Sequence, residues 1–311
     1  MKKITAMVPA YNEEECLYPL YDTLSPILEG LKYDYEILFI NDGSTDRTLE
    51  IIKELRQRNS KVSYINLSRN FGKETAMAAG FDYATGDAVV ILDADLQDPP
   101  ELIPEMVALW EKGYDDVYAK RRSRQGETFL KKFTSATFYN LLQKMTRVQI
   151  QKDTGDFRLL SRRALNAMRQ YRETRRYTKG IFSLIGYRKV EILFDRNPRL
   201  AGTTKWNYLK LADLAIEGIT SFTSSPLRIS TMAGVGVAFL GILYMLYIVL
   251  KRLIIGDPVS GFPSLIAIIT ILGGMQLLSL GIIGEYLARV FDETKRRPLY
   301  FVDEYNDKDV E

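Results

Sequence analysis

Short apolar runs alternate with longer amphipathic segments along the first 120 residues of the chain. Short β-branched runs are typical of buried strands, whereas apolar residues three or four positions apart are typical of helices. The pattern predicts strands at 4–8, 35–40, 62–66 and 88–92, and helices at 13–28, 46–58, 73–84 and 99–112. Because strands and helices alternate with short links, we expect an α/β fold with a mostly parallel sheet.

The pattern is less regular beyond this region. It predicts a short strand at 115–119, helices at 128–144 and 163–170, an edge strand at 190–194 and an amphipathic helix at 206–222. The last of these helices has Leu209, Ala212, Ile216 and Ile219 on one face. Such a face suits the membrane interface and suits packing beneath a globular domain equally well. At helix starts, Ser44 or Thr45 is expected to cap the second helix, and Pro99-Pro100 suits the first turn of the fourth.

Two long segments near the C-terminus contain no charged side chain, 22 residues at 229–250 and 24 residues at 261–284. A bilayer core of about 30 Å requires roughly 20 apolar residues of helix, so both segments qualify as membrane spans. The alternative is a pair of buried core helices, although such helices seldom lack a charged face over this length. Because the link between the segments is short, the prediction is a transmembrane hairpin.

Basic residues flank this hairpin on its outer sides. Arg228 precedes the first span, and the residues after the second are Arg289, Lys295, Arg296 and Arg297. This bias predicts that both termini lie in the cytoplasm. Residues 1–10 contain no long apolar stretch, so no signal peptide is expected there.

The chain has one cysteine, Cys16, and no histidine. Disulfides within the chain, Cys/His zinc sites and catalysis by a Ser-His-Asp or Cys-His set are therefore excluded. Acid–base chemistry must fall to Asp, Glu, Lys or Tyr. The net charge of +3 is mild, and we expect no nucleic-acid partner. Basic residues nevertheless concentrate in 120–132, which is either a solvated face or a site for an anionic lipid head group.

Carboxylates directly follow the strand predicted at 88–92. Asp93 and Asp95 are two positions apart and would share a face on extended backbone, with Gln97 two positions further. Oxygen ligands of this kind suit Mg²⁺ or Mn²⁺, and these ions suit a diphosphate, although Asp-x-Asp also occurs in plain solvated turns. The polar loops 9–13, 41–44 and 93–97 all follow predicted strand ends and should meet at one edge of the sheet. An aromatic ring with nearby acids suits a nucleotide, while glycine-rich dinucleotide and Walker motifs are missing from the sequence.

These motifs resemble family 2 glycosyltransferases with the GT-A (Rossmann-like) fold. More specifically, the chain resembles the bacterial polyprenyl-phosphate (bactoprenol-phosphate) glycosyltransferases, which are related to dolichol-phosphate mannose synthase. The resemblance covers nearly the whole chain. The motifs that carry it are VPAYNEE at 8–14, NDGS at 41–44, SRNFGKE at 68–74, DADLQDPP at 93–100, GDFRLL at 155–160, GIIGEY at 281–286 and KRRP at 295–298.

The resemblance implies a role for individual side chains. Those that would line the uracil and ribose pocket are Pro9, Tyr11, Glu13 and Asp42, with Arg69 and Lys73 at its edge. Asp93 would face the ribose and the divalent cation, and Asp95 and Gln97 would hold that cation on the diphosphate. The expected receptors of the acceptor phosphate are Arg121, Arg124, Lys132 and Ser135. Residues 199–206 resemble a loop that closes over the donor, where Arg199 and Lys205 would reach phosphates. Ala119 departs from the glycine that many relatives carry, which affects local backbone geometry alone.

Asp156 would lie at the reaction centre, as a general base or as a group that orients the acceptor or the leaving diphosphate. Structural alternatives stay open for several of these residues: a helix cap for Asp156, a core position for Tyr11 and plain surface charge for Arg121 and Arg124.

The resemblance implies inverting transfer of one sugar from a UDP-sugar to undecaprenyl phosphate, with Mg²⁺ or Mn²⁺, at the cytoplasmic face of the bacterial inner membrane. Glucose and N-acetylglucosamine are the leading sugars; galactose and 4-amino-arabinose derivatives stay open. The alternatives are a processive polysaccharide synthase and a non-catalytic scaffold or flippase component. Self-association is compatible with the sequence. The expected domains are a cytoplasmic GT-A domain at 1–205, an amphipathic region at 206–228, spans at about 229–250 and 262–284 within 229–288, and a cytoplasmic tail at 289–311.

Overall fold

The computed structural model of the chain describes residues 2–122, 154–195, 223–255 and 261–309. Several predictions fall outside these ranges: the helices at 128–144 and 206–222, and the roles given to Arg124, Lys132, Ser135, Arg199 and Lys205. The described residues form two compact units. The first contains those up to 195 together with 297–309, and the second contains 223–296.

The first unit is built on a mixed sheet, which has nine strands within the described ranges. Its spatial order is β7-β5-β6-β4-β1-β2-β3-β8-β9. The strands are β1 (Lys3–Ala10), β2 (Asp34–Asn41), β3 (Val62–Leu67), β4 (Ala88–Ile91), β5 (Asp116–Arg121), β6 (Thr154–Ser161), β7 (Lys189–Phe194), β8 (Val302–Tyr305) and β9 (Lys308–Asp309). The first four are parallel, and β6 runs antiparallel to β4 and β5. The predicted α/β fold and the position of β7 at the edge are therefore confirmed.

Helices cover both faces of this sheet. They are α1 (Leu17–Glu29), α2 (Thr48–Arg58), α3 (Lys73–Tyr83), α4 (Ile103–Glu111), α5 (Arg162–Met168) and α6 (Thr178–Leu184), with a 3₁₀ turn (Pro100–Leu102) leading into α4. Along β1, Ile4, Ala6 and Val8 join the core on one face, whereas Met7 joins the core on the other. This alternation follows from the two-residue period of a strand. Gly80 lets α3 approach closely, because a Cβ there would lie 2.4 Å from the sulfur of Met7.

The helix starts differ from the predictions in two places. Neither Ser44 nor Thr45 caps α2; Oδ1 of Asp46 accepts the N–H of Thr48 at 3.0 Å instead. The first helix begins at Leu17 rather than at 13, because the N–H of Cys16 closes a turn onto the carbonyl of Glu13 at 2.9 Å. Pro100 opens the 3₁₀ turn before α4, which agrees with the predicted proline-rich start.

Strand β6 was missed because it contains a charged residue that is almost completely buried. Arg158 is 1% exposed, pairs with Asp116 at 3.1 Å and lies over the ring of Phe182 at 3.6 Å. A charge at this position interrupts the apolar pattern, and the ion pair that makes its burial tolerable is not visible in the local sequence.

Residues 302–309 form two further strands of the sheet, which the sequence pattern did not predict. Strand β8 pairs antiparallel with β3, and β9 pairs with β8. The phenol of Tyr64 donates to Glu304 at 2.5 Å, and its oxygen accepts the N–H of Asp307 at 3.1 Å. Residues after 297 therefore belong to the α/β unit, and the side chains of its β3 edge hold them there.

The second unit contains two long apolar helices, α7 (Ser225–Ile255) and α8 (Phe262–Thr294). Both are long and apolar enough to cross a membrane, and none of the segment that qualifies in either helix is buried within the described structure. The alternative of buried core helices is thus contradicted, with Met232, for example, 75% exposed. The hydroxyl of Ser230 donates to that of Ser279 at 2.8 Å and joins the two helices.

Candidate active site

The loops predicted to carry chemistry follow strands whose carboxyl ends lie at one edge of the sheet. Strand β1 is parallel to β2 and to β4, with Ala10 opposite Asn41 and Met7 opposite Ile91. The loops after these strands therefore open on the same side, where open α/β sheets bind ligands. Pro9 lies on β1 itself and is partly exposed.

The loops after β1 and β2 are joined by hydrogen bonds. The N–H of Asn12 donates to Oγ of Ser44 at 3.0 Å, and Oδ1 of Asn12 accepts the N–H of Thr45 at 2.8 Å. The N–H of Glu13 donates to Oγ1 of Thr48 at 2.9 Å. Tyr11 is 46% exposed, so its assignment to the core is wrong and its ring is accessible to a base.

Asp42 holds the loop between β3 and α3. Its carboxylate accepts the N–H groups of Phe71 at 2.8 Å and Gly72 at 2.9 Å, and the side-chain amide of Asn70 at 3.2 Å. Burial raises the pKa of Asp42, although the two N–H groups act in the opposite direction. Arg69 is exposed and lies over the ring of Phe71 at 4.1 Å. The structure thus places Asp42 and Arg69 on two loops that contact each other.

A lysine between two carboxylates forms the centre of the site. Asp93 follows β4, and Asp156 lies on the antiparallel neighbour β6, where the register Ile91 opposite Arg158 brings the two acids together. Nζ of Lys73, the first residue of α3, lies 2.6 Å from Oδ1 of Asp93 and 2.7 Å from Oδ2 of Asp156. The resemblance assigned Lys73 to the edge of the base pocket, and this bridging contact was not predicted.

The charges of this cluster reinforce one another. Although burial raises the pKa of Asp156, the charges of Lys73 and Lys179 lower it to about 2. Burial lowers the pKa of Lys73, but the negative charges of Asp93 and Asp156 raise it by more than burial lowers it. The pKa of Lys73 therefore lies above its usual value. Asp156 is therefore an anion at neutral pH. Lys179 was missed because helix α6, which carries it, was not predicted.

The Asp-x-Asp segment is tightly turned. Oδ1 of Asp95 accepts the N–H of Gln97 at 3.1 Å, and Leu96 between them has a positive φ of 54°. Gln97 is 7% exposed. Cys16 lies near this segment, and burial, followed by the charge of Glu13, raises the pKa of its thiol to about 11. This thiol is accordingly inert.

Helix α6 is attached to the cluster through Glu74. The carboxylate of Glu74 accepts the N–H of Thr178 at 2.8 Å, and Thr178 directly precedes Lys179. Burial raises the pKa of Glu74, and the hydrogen bonds from Thr178 oppose this shift. Two neighbouring residues of α3 therefore serve the cluster: Lys73 contacts Asp93 and Asp156, and Glu74 holds the start of the helix that carries Lys179.

The comparisons with known proteins agree with this geometry. The model of "Glycosyl transferase family 2" matches residues 5–169, which carry every strand and loop of the site up to Asp156. The chain belongs to glycosyl transferase family 2. A second model, "GtrB C-terminal hairpin", matches residues 225–290, which carry the two apolar helices.

Three relatives extend the similarity of this glycosyltransferase over nearly its full length. An uncharacterized glycosyltransferase of Synechocystis is 50% identical over 96% of this chain and 94% of that protein. The putative glycosyltransferase CsbB of Bacillus subtilis is 42% identical over 97% and 92%. A bactoprenol glucosyl transferase of Shigella phage SfV is 43% identical over 96% and 98%. The α/β unit of this glycosyltransferase has the GT-A fold, as the resemblance implied.

The carboxylates of this glycosyltransferase fit a divalent cation whose ligands come partly from the protein and partly from a bound substrate. Among the described residues, no group of three or more His, Cys, Asp or Glu side chains is placed to hold a metal by itself. Mg²⁺, however, is commonly bound by one or two carboxylates together with substrate phosphates. Asp93, Asp95 and Gln97 supply oxygen donors of that type, and Oδ1 of Asp156 is buried without a hydrogen-bond partner in the described structure.

One residue of the predicted acceptor site lies within the described ranges. Arg121 ends β5, and its Nη2 lies 3.9 Å from the place where a Cβ on Gly155 would be. Gly155 precedes Asp156, so this guanidinium is close to the reaction centre predicted from the sequence. Lys120, its neighbour in the basic cluster, pairs with Glu191 at 2.9 Å.

Proposed function

We propose that this glycosyltransferase moves one sugar from a UDP-sugar to a polyprenyl phosphate, undecaprenyl phosphate in a bacterium, and that glucose is the leading sugar. The observation that carries the proposal is the Lys73–Asp93–Asp156 cluster at the carboxyl edge of the sheet. The bactoprenol glucosyl transferase of Shigella phage SfV, a relative that covers 96% of this chain, supports the lipid acceptor and the sugar. The two apolar helices support a membrane-borne acceptor.

The donor end of the reaction requires a charge opposite the leaving diphosphate. Asp93, Asp95 and Gln97 would hold Mg²⁺ or Mn²⁺ there, and the ion would neutralise charge that develops on the leaving group. Tyr11 would stack on the uracil, while Pro9, Glu13 and Asp42 would surround the base and ribose, with Arg69 at the edge. Lys73 would remain with the two acids that it already contacts.

The acceptor end requires little help from a base. The second pKa of a phosphate monoester is about 6, so the lipid phosphate is mostly a dianion at neutral pH. A carboxylate with a pKa of about 2 is a weak base, which favours an orienting and electrostatic role for Asp156. An oxygen of the acceptor phosphate would bond to the anomeric carbon as the bond from that carbon to the diphosphate breaks, so an α-linked donor would give a β-linked product.

The same proposal places the enzyme in the bacterial cytoplasmic membrane, with the α/β domain and both termini cytoplasmic. The two apolar helices would keep the enzyme in the phase in which the acceptor is dissolved. Arg121 would receive the acceptor phosphate, and Arg124, Lys132 and Ser135 are proposed to act with it. The basic flanks of the hairpin, Arg228 and 295–297, support this orientation.

The test is transfer of radiolabel by the purified full-length protein with undecaprenyl phosphate, Mn²⁺ or Mg²⁺ and a panel of UDP-sugars. We expect lipid-soluble label from one donor, which disappears with EDTA and with Asp95→Ala but not with Asp22→Ala, a change on the exposed side of α1. Product mass distinguishes a single sugar from the polymer that a processive synthase would make. Absence of label from every donor with accessible lipid would overturn the UDP-sugar assignment.

A further inference from the structure

The segment Tyr300–Tyr305 follows the second apolar helix in the sequence and joins the α/β unit beside the candidate nucleotide pocket. Strand β8 lies against β3, with Leu67 opposite Val302. The carbonyl of Phe301 accepts the N–H of Ser68 at 3.0 Å, and the rings of Phe71 and Phe301 are 6.5 Å apart. This segment therefore contacts the loop that donates its N–H groups to Asp42.

A second connection runs through two buried amides. Nδ2 of Asn66 donates to Oδ2 of Asp303 at 3.1 Å, and Oδ1 of Asn66 accepts Nδ2 of Asn41 at 2.7 Å. Asn66 is 8% exposed and Asn41 is 1% exposed. Oδ1 of Asn41 then accepts the N–H of Ser44 at 3.4 Å, a long hydrogen bond. Oγ of Ser44 in turn accepts the N–H of Asn12 at 3.0 Å, beside Tyr11.

The carboxylate of Asp303 sets the direction of this hydrogen-bond chain. An ionised carboxylate can only accept, so Asn66 must turn its amino group toward Asp303 and its carbonyl toward Asn41. Asn41 must then turn its amino group toward Asn66, which leaves its own carbonyl for the N–H of Ser44. A hydrogen-bond donor in place of Asp303 would favour the reversed orientation of the Asn66 amide. The amino group of Asn66 would then face the amino group of Asn41, so that two donors would face each other.

We propose that Asp303 and Asn66 are positioning residues of the donor-nucleotide pocket, and that the segment Tyr300–Tyr305 helps to hold the loops of that pocket in place. This inference rests on the proposed function, because it assumes that the loops after β1, β2 and β3 receive a UDP-sugar. Asp303 accepts a hydrogen bond from Asn66, which lies on β3 rather than in the loops after β1 and β2. It acts through Asn66 and Asn41, which are both buried, so that a mismatch of donor and acceptor between the two amides is costly.

The test compares UDP affinity and steady-state kinetics in the full-length protein. Asp303→Lys places a donor opposite Asn66, and we expect about tenfold weaker UDP binding by calorimetry with an equal rise in donor KM. The KM for the lipid acceptor and kcat should change less than twofold. Asp303→Ala should give a smaller loss. Asp303→Asn can still present an oxygen and should stay within twofold of the wild type. Asp22→Lys is the matched charge reversal on an exposed residue of α1 and should have no effect.

The outcomes separate this inference from the proposed function. Wild-type protein that binds UDP, together with Asp303→Lys that binds it equally well, would overturn the positioning role alone. A lower unfolding temperature at unchanged UDP affinity would reduce Asp303 to a purely structural residue and would also overturn it. Wild-type protein that neither binds UDP nor transfers sugar would overturn both proposals.

Discussion

Lys73 and Asp156 form an ion pair, with Nζ of Lys73 2.7 Å from Oδ2 of Asp156. The lysine opens a helix that follows β3, whereas the aspartate lies on an antiparallel strand more than 80 residues further along the chain. The same Nζ contacts Asp93 at the end of β4. One cation therefore holds together two acids that would otherwise repel each other, and it keeps Asp156 ionised.

The first prediction concerns the pH dependence of this pair. The folded-state pKa of Asp156 is lowered to about 2, so its protonation should not limit activity until the pH falls well below the ordinary range of carboxylates. Removal of the cation in Lys73→Met leaves burial to raise the pKa of Asp156, opposed only by the more weakly acting charges of Lys179 and Arg158. The acceptor phosphate, with a second pKa of about 6, gives every variant an acid limb of kcat/KM. We expect the acid side of the profile to fall more steeply, or from a higher pH, in Lys73→Met than in the wild type.

The profile should be measured with a UDP-sugar and a short-chain polyprenyl phosphate. The control is Lys53→Met, which removes a lysine that is far from Asp156 in the sequence and pairs with Glu304. Lys73→Arg keeps the charge and should keep the wild-type acid limb. An acid side of the Lys73→Met profile with the same position and the same steepness as in the wild type would show that this lysine does not set the ionisation of Asp156.

Local sequence patterns predicted the strands that contain a mostly apolar run, and the chemistry that directly follows them. Strands β1 to β4 are of this kind, and Asp93 and Asp95 were found because they follow one of them. Non-local contacts were not predictable in the same way. The burial of Arg158 depends on Asp116, and β8 depends on an edge of β3 more than 230 residues away.

The candidate site shows the same division. Tyr11, Asp42 and the Asp-x-Asp loop were identified from short motifs at strand ends, and the structure brings those loops to one edge. The bridging position of Lys73 and the charge of Lys179 near Asp156 carry no local signal, because each depends on where the tertiary structure places α3 and α6 relative to Asp156. Tertiary packing, rather than hydrophobic period, decides such contacts.

The second prediction concerns the buried pair of Arg158 and Asp116, whose side chains are 1% and 0% exposed. Arg158→Met leaves Asp116 buried without its partner, which typically costs about 3–5 kcal/mol. We expect a clear fall in the unfolding temperature of the full-length protein in detergent, followed by intrinsic fluorescence. Arg163→Met removes an exposed partner of Asp115 and should have a much smaller effect.

The double variant Arg158→Met with Asp116→Leu removes both charges. Because an apolar pair of similar volume avoids the cost of an unpaired charge, it should recover much of the stability lost in the single variant. An additive loss in the double variant would mean that packing around Arg158, for instance against Phe182, matters more than the charge pair.

The third prediction concerns Tyr11, the exposed ring of the first loop. Tyr11→Ala should raise the donor KM about tenfold, because stacking of one base on an aromatic ring is worth about 1–3 kcal/mol. Tyr11→Phe keeps the ring and should bind UDP nearly as well as the wild type. Since Tyr11 is not part of the core, neither change should lower the unfolding temperature. Equal UDP affinity in both variants would place the base elsewhere.

The fourth prediction concerns Gly43, where the loops after β2 and β3 meet. Its φ is +63°, and a Cβ would lie 2.3 Å from the carbonyl carbon of Arg69. Gly43→Ala therefore adds a backbone clash to the cost of a left-handed conformation. Because Arg69 precedes the N–H groups that bind Asp42, we expect both a lower unfolding temperature and weaker UDP binding.

Gly113→Ala is the matched control, because Gly113 has a φ of +86° but no atom within 4 Å of its added Cβ. It should show only the conformational cost, about 1–2 kcal/mol, with UDP affinity unchanged. The difference between the two variants then measures the contact between the loops. If both lose the same stability and both keep their UDP affinity, the approach of Gly43 to Arg69 does not shape the nucleotide pocket.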